Sequence, residues 1–188
     1  MYASVSVDGF IADDDDQPGP IFDWLTSGDV PLDDDGHLKV SQPSRDLTRA
    51  YWDSIGVTIA GRHVFDLTDG WDGVPPAGVD HVVVVTHRPP PEGWNADAPF
   101  HFADGIEAAM ATAQELAGDR VVEVAAGDVG GQMLAAGLVD EVAMDVAPVM
   151  LGSGKRYFGS IDGQHLLEDP HLVVPGDRVL HLRFRVRR

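Results

Sequence analysis

The chain has 188 residues, 44% of them apolar, and no low-complexity stretch or linker, so its length suits one domain, residues 1–188, around a sizeable core. It contains no cysteine, which excludes disulfides and thiolate-bound metal. Lys and Arg number 13 against 31 Asp and Glu, and the resulting formal charge of -18 repels nucleic acid and anionic membrane, so neither is an expected partner.

The longest apolar runs are only a handful of residues, too short to cross a bilayer. The N-terminus lacks the basic-then-apolar order of a secretory signal, and a cytoplasmic protein is expected.

Tyr2 to Val7 alternates weakly and predicts a strand, followed by the Asp8-Gly9 turn and Phe10-Ile11. Two polar stretches, Asp13 to Pro20 and Ser27 to Gln42, predict long surface loops on either side of Phe22-Asp23-Trp24-Leu25. Ser44 is a candidate N-cap for a helix through Leu47, Ala50, Tyr51 and Trp52. Ile55 to Ala60 predicts a buried strand, Val64 to Gly78 a short helical turn and loop, and Val82 to Val85 a second strand. Asp104 and Glu107 have the spacing of a capping box. They open a helix with Ile106, Ala109, Met110, Ala113 and Leu116 on its apolar side, ending at Gly118.

A third strand is expected over Val121 to Ala126, then a helix from Asp128 through Leu134, stopped at Gly137. Glu141 to Val149 alternates, with Val142, Met144 and Val146 on one face. In the last strand Leu180, Leu182, Phe184 and Val186 are expected to pack, leaving His181, Arg183, Arg185 and Arg187 wet. The sum is an α/β fold in three layers, a mixed sheet with a parallel core and antiparallel C-terminal strands, flanked by helices.

Three of the strands empty into polar or glycine-rich turns: Gly61-Arg62-His63, Thr86-His87-Arg88 and Gly127-Asp128-Val129-Gly130-Gly131. Ligands of open α/β sheets sit outside the carboxyl ends of the strands. An acidic protein that binds an anion needs locally positive ground, which Arg62, His63, His87 and Arg88 supply; on spacing alone, solvated loop ends are an equally good reading. Other motifs fail. Asp33, Asp35 and Gly36 suggest a calcium loop, but Pro31 and Gln42 stand where acidic ligands are required. Gly152-Ser153-Gly154-Lys155 lacks the leading glycine and the hydroxyl of a phosphate loop and reads as a turn. The histidines have no paired helical spacing, so no metal site is expected.

Four stretches, in order along almost the whole chain, carry a resemblance: Ser6-Val7-Asp8-Gly9-Phe10-Ile11-Ala12; Ala60-Gly61-Arg62-His63-Val64-Phe65; Val84-Val85-Thr86-His87-Arg88-Pro89-Pro90; and Ala136 to Glu141 with Pro148 to Gly154. The sequence resembles the dihydrofolate reductase superfamily, in the branch that includes the reductase domain of the bifunctional riboflavin-biosynthesis protein. The resemblance implies an NADPH-dependent reductase that delivers hydride to a pterin-like, flavin-precursor or related heterocycle, and a homodimer.

By motif matching, Gly61, Arg62, His63 and Val64 fall where the family contacts the cofactor's phosphates, and Thr86, His87 and Arg88 where it holds the 2′-phosphate, a group that prefers arginine and a helix N-terminus. Ala126, Gly127, Asp128, Val129 and Gly130 match the turn against the pyrophosphate and nicotinamide. The family usually has paired glycines where this chain has Ala125-Ala126. Asp46 lies near the acid of folate-reducing members, with a solvated first-turn residue as the alternative; Asp69 and Asp8 are weaker candidates. Phe22, Trp24 and Thr26 resemble a segment bordering the nicotinamide, or else anchor a loop. Arg49 suits an anionic substrate tail or a pairing with Asp46 or Asp53. The competing function is a non-catalytic nucleotide- or flavin-binding member of the same fold.

Overall fold

A computed structural model describes residues 1–187. Strands β1 (Tyr2–Ser6), β2 (Phe10–Ala12), β3 (Val30–Pro31) and β4 (Lys39–Val40) precede helix α1 (Gln42–Ser54). Then come β5 (Ile55–Gly61), α2 (Arg62–Leu67), β6 (His81–Val85), β7 (Phe100–Ala103), α3 (Ile106–Ala117) and β8 (Val121–Val124). The chain closes through α4 (Asp128–Ala135), β9 (Glu141–Ala147), β10 (Lys155–Arg156), β11 (Leu172–Gly176) and β12 (Val179–Arg185). Contacts divide it into two compact units, Tyr51–Ala125 and the remainder. No helix among the described residues is long and apolar enough to cross a membrane.

The Tyr51–Ala125 unit is built on an all-parallel sheet of order β7-β6-β5-β8. Ile55 through Ala60 are all buried, the continuous apolar run of a parallel strand covered on both faces. Helix α3 packs on β5, β6 and β7 through Ala109, Met110, Ala113 and Ala117. Gly56 permits that approach, because a Cβ there would sit 3.3 Å from the Ala117 Cα. Phe65 of α2 is 1% exposed and meets Trp94, Phe100 and Phe102 edge-on, with ring centroids 5.0, 6.0 and 5.2 Å away. Its burial stabilises the fold by about 1.5–3 kcal/mol.

The expected capping box does not form. Gly105 is the residue that precedes α3, without a side-chain cap, and Asp104 turns instead to His87.

The other unit holds a sheet of order β1-β9-β12-β11, in which β1 runs parallel to β9 and the C-terminal strands run antiparallel. A 3-10 turn, Gly19–Thr26, forms between the two polar stretches and buries Ile21 and Trp24. In the second stretch Asp33 accepts the Leu38 N–H at 2.9 Å and helps close the β3–β4 hairpin. Helix α1 begins at Gln42, so Ser44 is not its cap; Ser44 and Thr48, one turn apart, form its buried face.

The last strand reverses the expected alternation. Val179, His181 and Arg183 are 6, 0 and 4% exposed, whereas Leu180 is 38% exposed. In β9 the buried row includes Ala143, Asp145 and Ala147, while Met144 and Val146 are only half-buried. The physical reason lies in the register: His181 pairs with Asp145 across the sheet, so the buried carboxylate meets the buried His181 and Arg183 side chains.

Candidate functional site

In the Tyr51–Ala125 unit, β5 delivers Arg62 at the first position of α2, and the turn after β6 delivers Arg88. Both converge on Asp66, one helical turn beyond Arg62. Nε of Arg62 donates to Oδ1 at 2.6 Å and Nη2 of Arg88 to Oδ2 at 2.7 Å. Arg62 also donates from Nη1 to the Pro89 carbonyl at 2.9 Å, and its guanidinium lies 5.6 Å from the centre of the Phe65 ring. It is therefore held from three sides, with only 14% of its side chain exposed, while Arg88 is 62% exposed. The Arg62 hydrogen bond foremost, then that of Arg88, holds the Asp66 carboxyl below the ordinary carboxylate range.

These contacts leave Nη2 of Arg62 and Nε and Nη1 of Arg88 as donors for an external anion. Thr86 is 8% exposed, and its hydroxyl accepts the Arg88 N–H at 3.0 Å, which closes the turn that presents Arg88. Of the four expected basic groups, Arg62 and Arg88 share one carboxylate. His87 instead pairs through Nδ1 with Asp104 at the start of the next segment, and His63 is exposed on α2. Helix α2 has only six residues, so the arginines rather than a helix terminus provide the positive ground. Gly61 and Val64 flank Arg62 and are half-buried.

The remaining assigned residues belong to the other unit. Gly127 precedes α4 with φ 104 and ψ -155, a conformation that L side chains rarely adopt. Ala125 and Ala126 have no positive φ, so their methyl groups create no backbone strain; the Ala126 N–H donates to the Tyr2 carbonyl at 3.1 Å. Asp128 accepts the Ser160 N–H at 3.1 Å, Val129 is half-buried, and Gly130 is buried within α4.

Asp46 is 60% exposed on α1 and accepts a hydrogen bond from Gln42 at 2.8 Å; Arg49, on the same helix, is half-buried. Asp8 accepts from the Ser6 hydroxyl at 2.6 Å and from the Leu151 and Gly152 N–H groups at 3.2 and 2.7 Å. The Ser6 bond, followed by that of Gly152, lowers its pKa, which suits a loop clamp and not a proton donor. Beside it, Asp8, Gly9, Arg156, Phe158 and residues 159–162 line a groove of about 520 Å³. Asp69, in the Tyr51–Ala125 unit, stands exposed at φ 48.

Of the aromatic segment, Phe22 is 46% exposed, whereas Trp24 is 1% exposed. The Trp24 indole N–H donates to Ser4 Oγ at 3.0 Å, and its ring packs edge-on against His181 with centroids 5.3 Å apart. Trp24 thus fastens its segment into the core. Thr26, exposed, donates to the Asp23 carbonyl at 3.3 Å.

A buried polar network escapes the sequence reading. Ser44 Oγ lies 2.9 Å from His181 Nε2, and His181 Nδ1 lies 2.8 Å from Asp145 Oδ1; Arg183 and the Tyr2 hydroxyl also donate to Asp145, at 3.2 and 2.7 Å. The Ser–His–Asp order is that of an acyl-transfer triad. Ser44 and His181 are each 0% exposed, so no substrate reaches the hydroxyl, and the network serves packing. Burial raises the Asp145 pKa, but the His181 hydrogen bond and the His181 and Arg183 charges outweigh it, and the net direction is down.

Residues 1–180 match the model of the RibD C-terminal domain. The chain belongs to the RibD C-terminal domain family. It is similar to a protein from Shewanella sp. PV-4 assigned to riboflavin biosynthesis, at 19% identity and a TM-score of 0.72, over 98% of this chain and 96% of that one. It is similar also to dihydrofolate reductase from Enterococcus faecalis, solved with NADP(H) and an RAB-propyl ligand, at 16% identity and a TM-score of 0.55, over 98 and 93% of the two chains. A third structure is a Thermotoga maritima diaminohydroxyphosphoribosylaminopyrimidine deaminase/5-amino-6-(5-phosphoribosylamino)uracil reductase, at 13% identity and a TM-score of 0.59. The match covers 97% of this chain and 54% of that one, so the chain spans about half its length. No curated protein matches the sequence. The family and the dihydrofolate-reductase-like fold agree with the four ordered stretches that carry the resemblance.

Proposed function

We propose that the protein is an NADPH-dependent reductase acting on a pterin-like, flavin-precursor or related heterocycle, working as one dihydrofolate-reductase-like domain. The convergence of Arg62 and Arg88 at the exits of β5 and β6, with three nitrogens still able to donate, is the observation that supports it most directly. Those donors suit the 2′-phosphate of the cofactor. Within the other unit, taken by itself, the backbone at Gly127 and the turn to Gly130 suit close approach of a phosphate group. When bound, the nicotinamide supplies the hydride.

The protein's part is to orient the two reactants and to deliver a proton. Asp46 is the proposed proton relay, a role consistent with a carboxylate that is 60% exposed on α1. Phe22, Thr26 and Arg49 are the proposed substrate contacts; Trp24, buried, acts by holding Phe22 and Thr26 in place.

Mixing the full chain with NADPH and a panel of pterins and aminopyrimidines tests this reading. Saturable binding followed by loss of the reduced-nicotinamide absorbance supports it. Binding without turnover favours the non-catalytic nucleotide-binding alternative, and no binding of either NADPH or NADP+ removes the cofactor reading. We further propose a homodimer, supported by the outward apolar row that includes Val173 and Leu180, 53 and 38% exposed. A concentration-independent monomer in sedimentation overturns that part.

A further inference from the structure

The two arginines suited to a 2′-phosphate do not present two net charges. Asp66 bridges them, one carboxylate oxygen to each, and the three side chains together carry a single positive charge. The bridge has two opposed consequences for a dinucleotide. Toward a 2′-phosphate dianion, Asp66 is a like charge placed among the donors, and it weakens the attraction that two bare guanidiniums would exert. Toward a ribose that carries only a 2′-hydroxyl, the same carboxylate is an acceptor. Each oxygen takes one hydrogen bond and keeps lone-pair capacity for another.

An acidic side chain is the ordinary partner of a free ribose 2′-hydroxyl, and arginine of the phosphorylated one; this cluster holds both. The side chain of Asp66 is 39% exposed, so it faces solvent as well as its partners. Its pairing keeps it ionised throughout the neutral range. His87, in the same turn, likewise meets a carboxylate, Asp104.

We propose that Asp66 is the residue that sets selectivity between phosphorylated and unphosphorylated nicotinamide dinucleotides, holding the preference for the 2′-phosphate to a modest level and leaving NADH usable as a second cofactor. This rests on the cofactor reading given above. It predicts that removing the negative charge, while keeping the side chain's shape and one acceptor oxygen, sharpens the preference for the phosphorylated cofactor.

The test measures dissociation constants of NADP+, NAD+ and 2′,5′-ADP for the full-length protein and for Asp66→Asn, by calorimetry at two salt concentrations. Melting temperatures of both show that the variant is folded. The wild type is expected to prefer NADP+ over NAD+ by about tenfold or less, and D66N to raise that ratio about tenfold, chiefly by tighter NADP+. The D66N gain should extend to 2′,5′-ADP and shrink at the higher salt.

An unchanged ratio overturns the proposal. So does a lowered one, which would show that Asp66 only props the arginines for phosphate. A wild-type preference for NADP+ above about a hundredfold also overturns it, because the bridge would then impose no restraint. Failure of all three ligands to bind either protein sinks the cofactor reading itself, a result separable from binding that is indifferent to Asp66.

Discussion

Each unit contains a carboxylate that gathers two basic side chains, Asp145 with His181 and Arg183, and Asp66 with Arg62 and Arg88. The chemistry is nearly the same and the surroundings are opposite: Asp145 is 1% exposed, whereas the Asp66 side chain is 39% exposed. Inside the sheet, charges removed from water must satisfy one another completely, so Asp145 also takes the Tyr2 hydroxyl while His181 meets Ser44. At the strand exits, water relieves that demand, and the arginines keep donors unspent. A carboxylate with two basic partners is thus a structural joint in one place and a candidate ligand site in the other.

The largest test of the contrast is Asp145→Ala. Leaving Arg183 buried without its carboxylate should cost about 3–5 kcal/mol, read as a fall of about 6–20 °C in melting temperature. A loss below about 1 kcal/mol would place Asp145 among surface pairs and dissolve the comparison.

Acid sharpens it. The folded-state pKa of Asp145 is depressed, so its stabilising effect is fully present above the unfolded value of about 3.9 and is lost as pH falls through the lower folded value. The gap in stability between wild type and Asp145→Asn should therefore hold at neutral pH and narrow below about pH 4. A gap that widens in acid contradicts the assigned sign.

Next in size is Arg88→Ala. Loss of a charge-assisted hydrogen bond to phosphate, about 1.5–3 kcal/mol, should weaken 2′,5′-ADP binding by about ten- to a hundredfold while leaving the melting temperature within a degree or two. A large thermal shift with unchanged binding would make Arg88 structural. The smallest effect belongs to Asp46→Asn. On the exposed face of α1 it should move stability by no more than about 0.5 kcal/mol, while turnover falls if Asp46 relays the proton. Unchanged turnover returns Asp46 to the role of a solvated helix residue.

The sequence alone was sufficient for β5, β6 and β8 of the parallel sheet, because β5 and β6 are rich in apolar residues and need no partner to be recognised, whereas β7, FHFA, is too short to stand out and went unread. It was sufficient also for Arg62 and Arg88 as neighbours at adjoining strand ends, and for the stop of α4 at Gly137. Asp66 went unnoticed although it lies one turn after Arg62, since an acid four residues from an arginine reads as an ordinary helix pair. Nothing in the local sequence announces that Arg88, 22 residues away, closes on the same carboxylate.

Only the tertiary structure decided which side of β12 is core. Alternation fixes that two faces differ and leaves open which one is covered, and apolar preference points to the Leu180 row. The cross-strand pairing of His181 with Asp145, together with cover from Trp24 and Ser44, reverses that preference. Ser44 and Asp104 lost their capping roles for the same reason: each hydroxyl or carboxylate had a long-range partner, His181 or His87, that local spacing does not reveal. Period and propensity are properties of a segment, whereas compensation of a buried charge is a property of what folds against it.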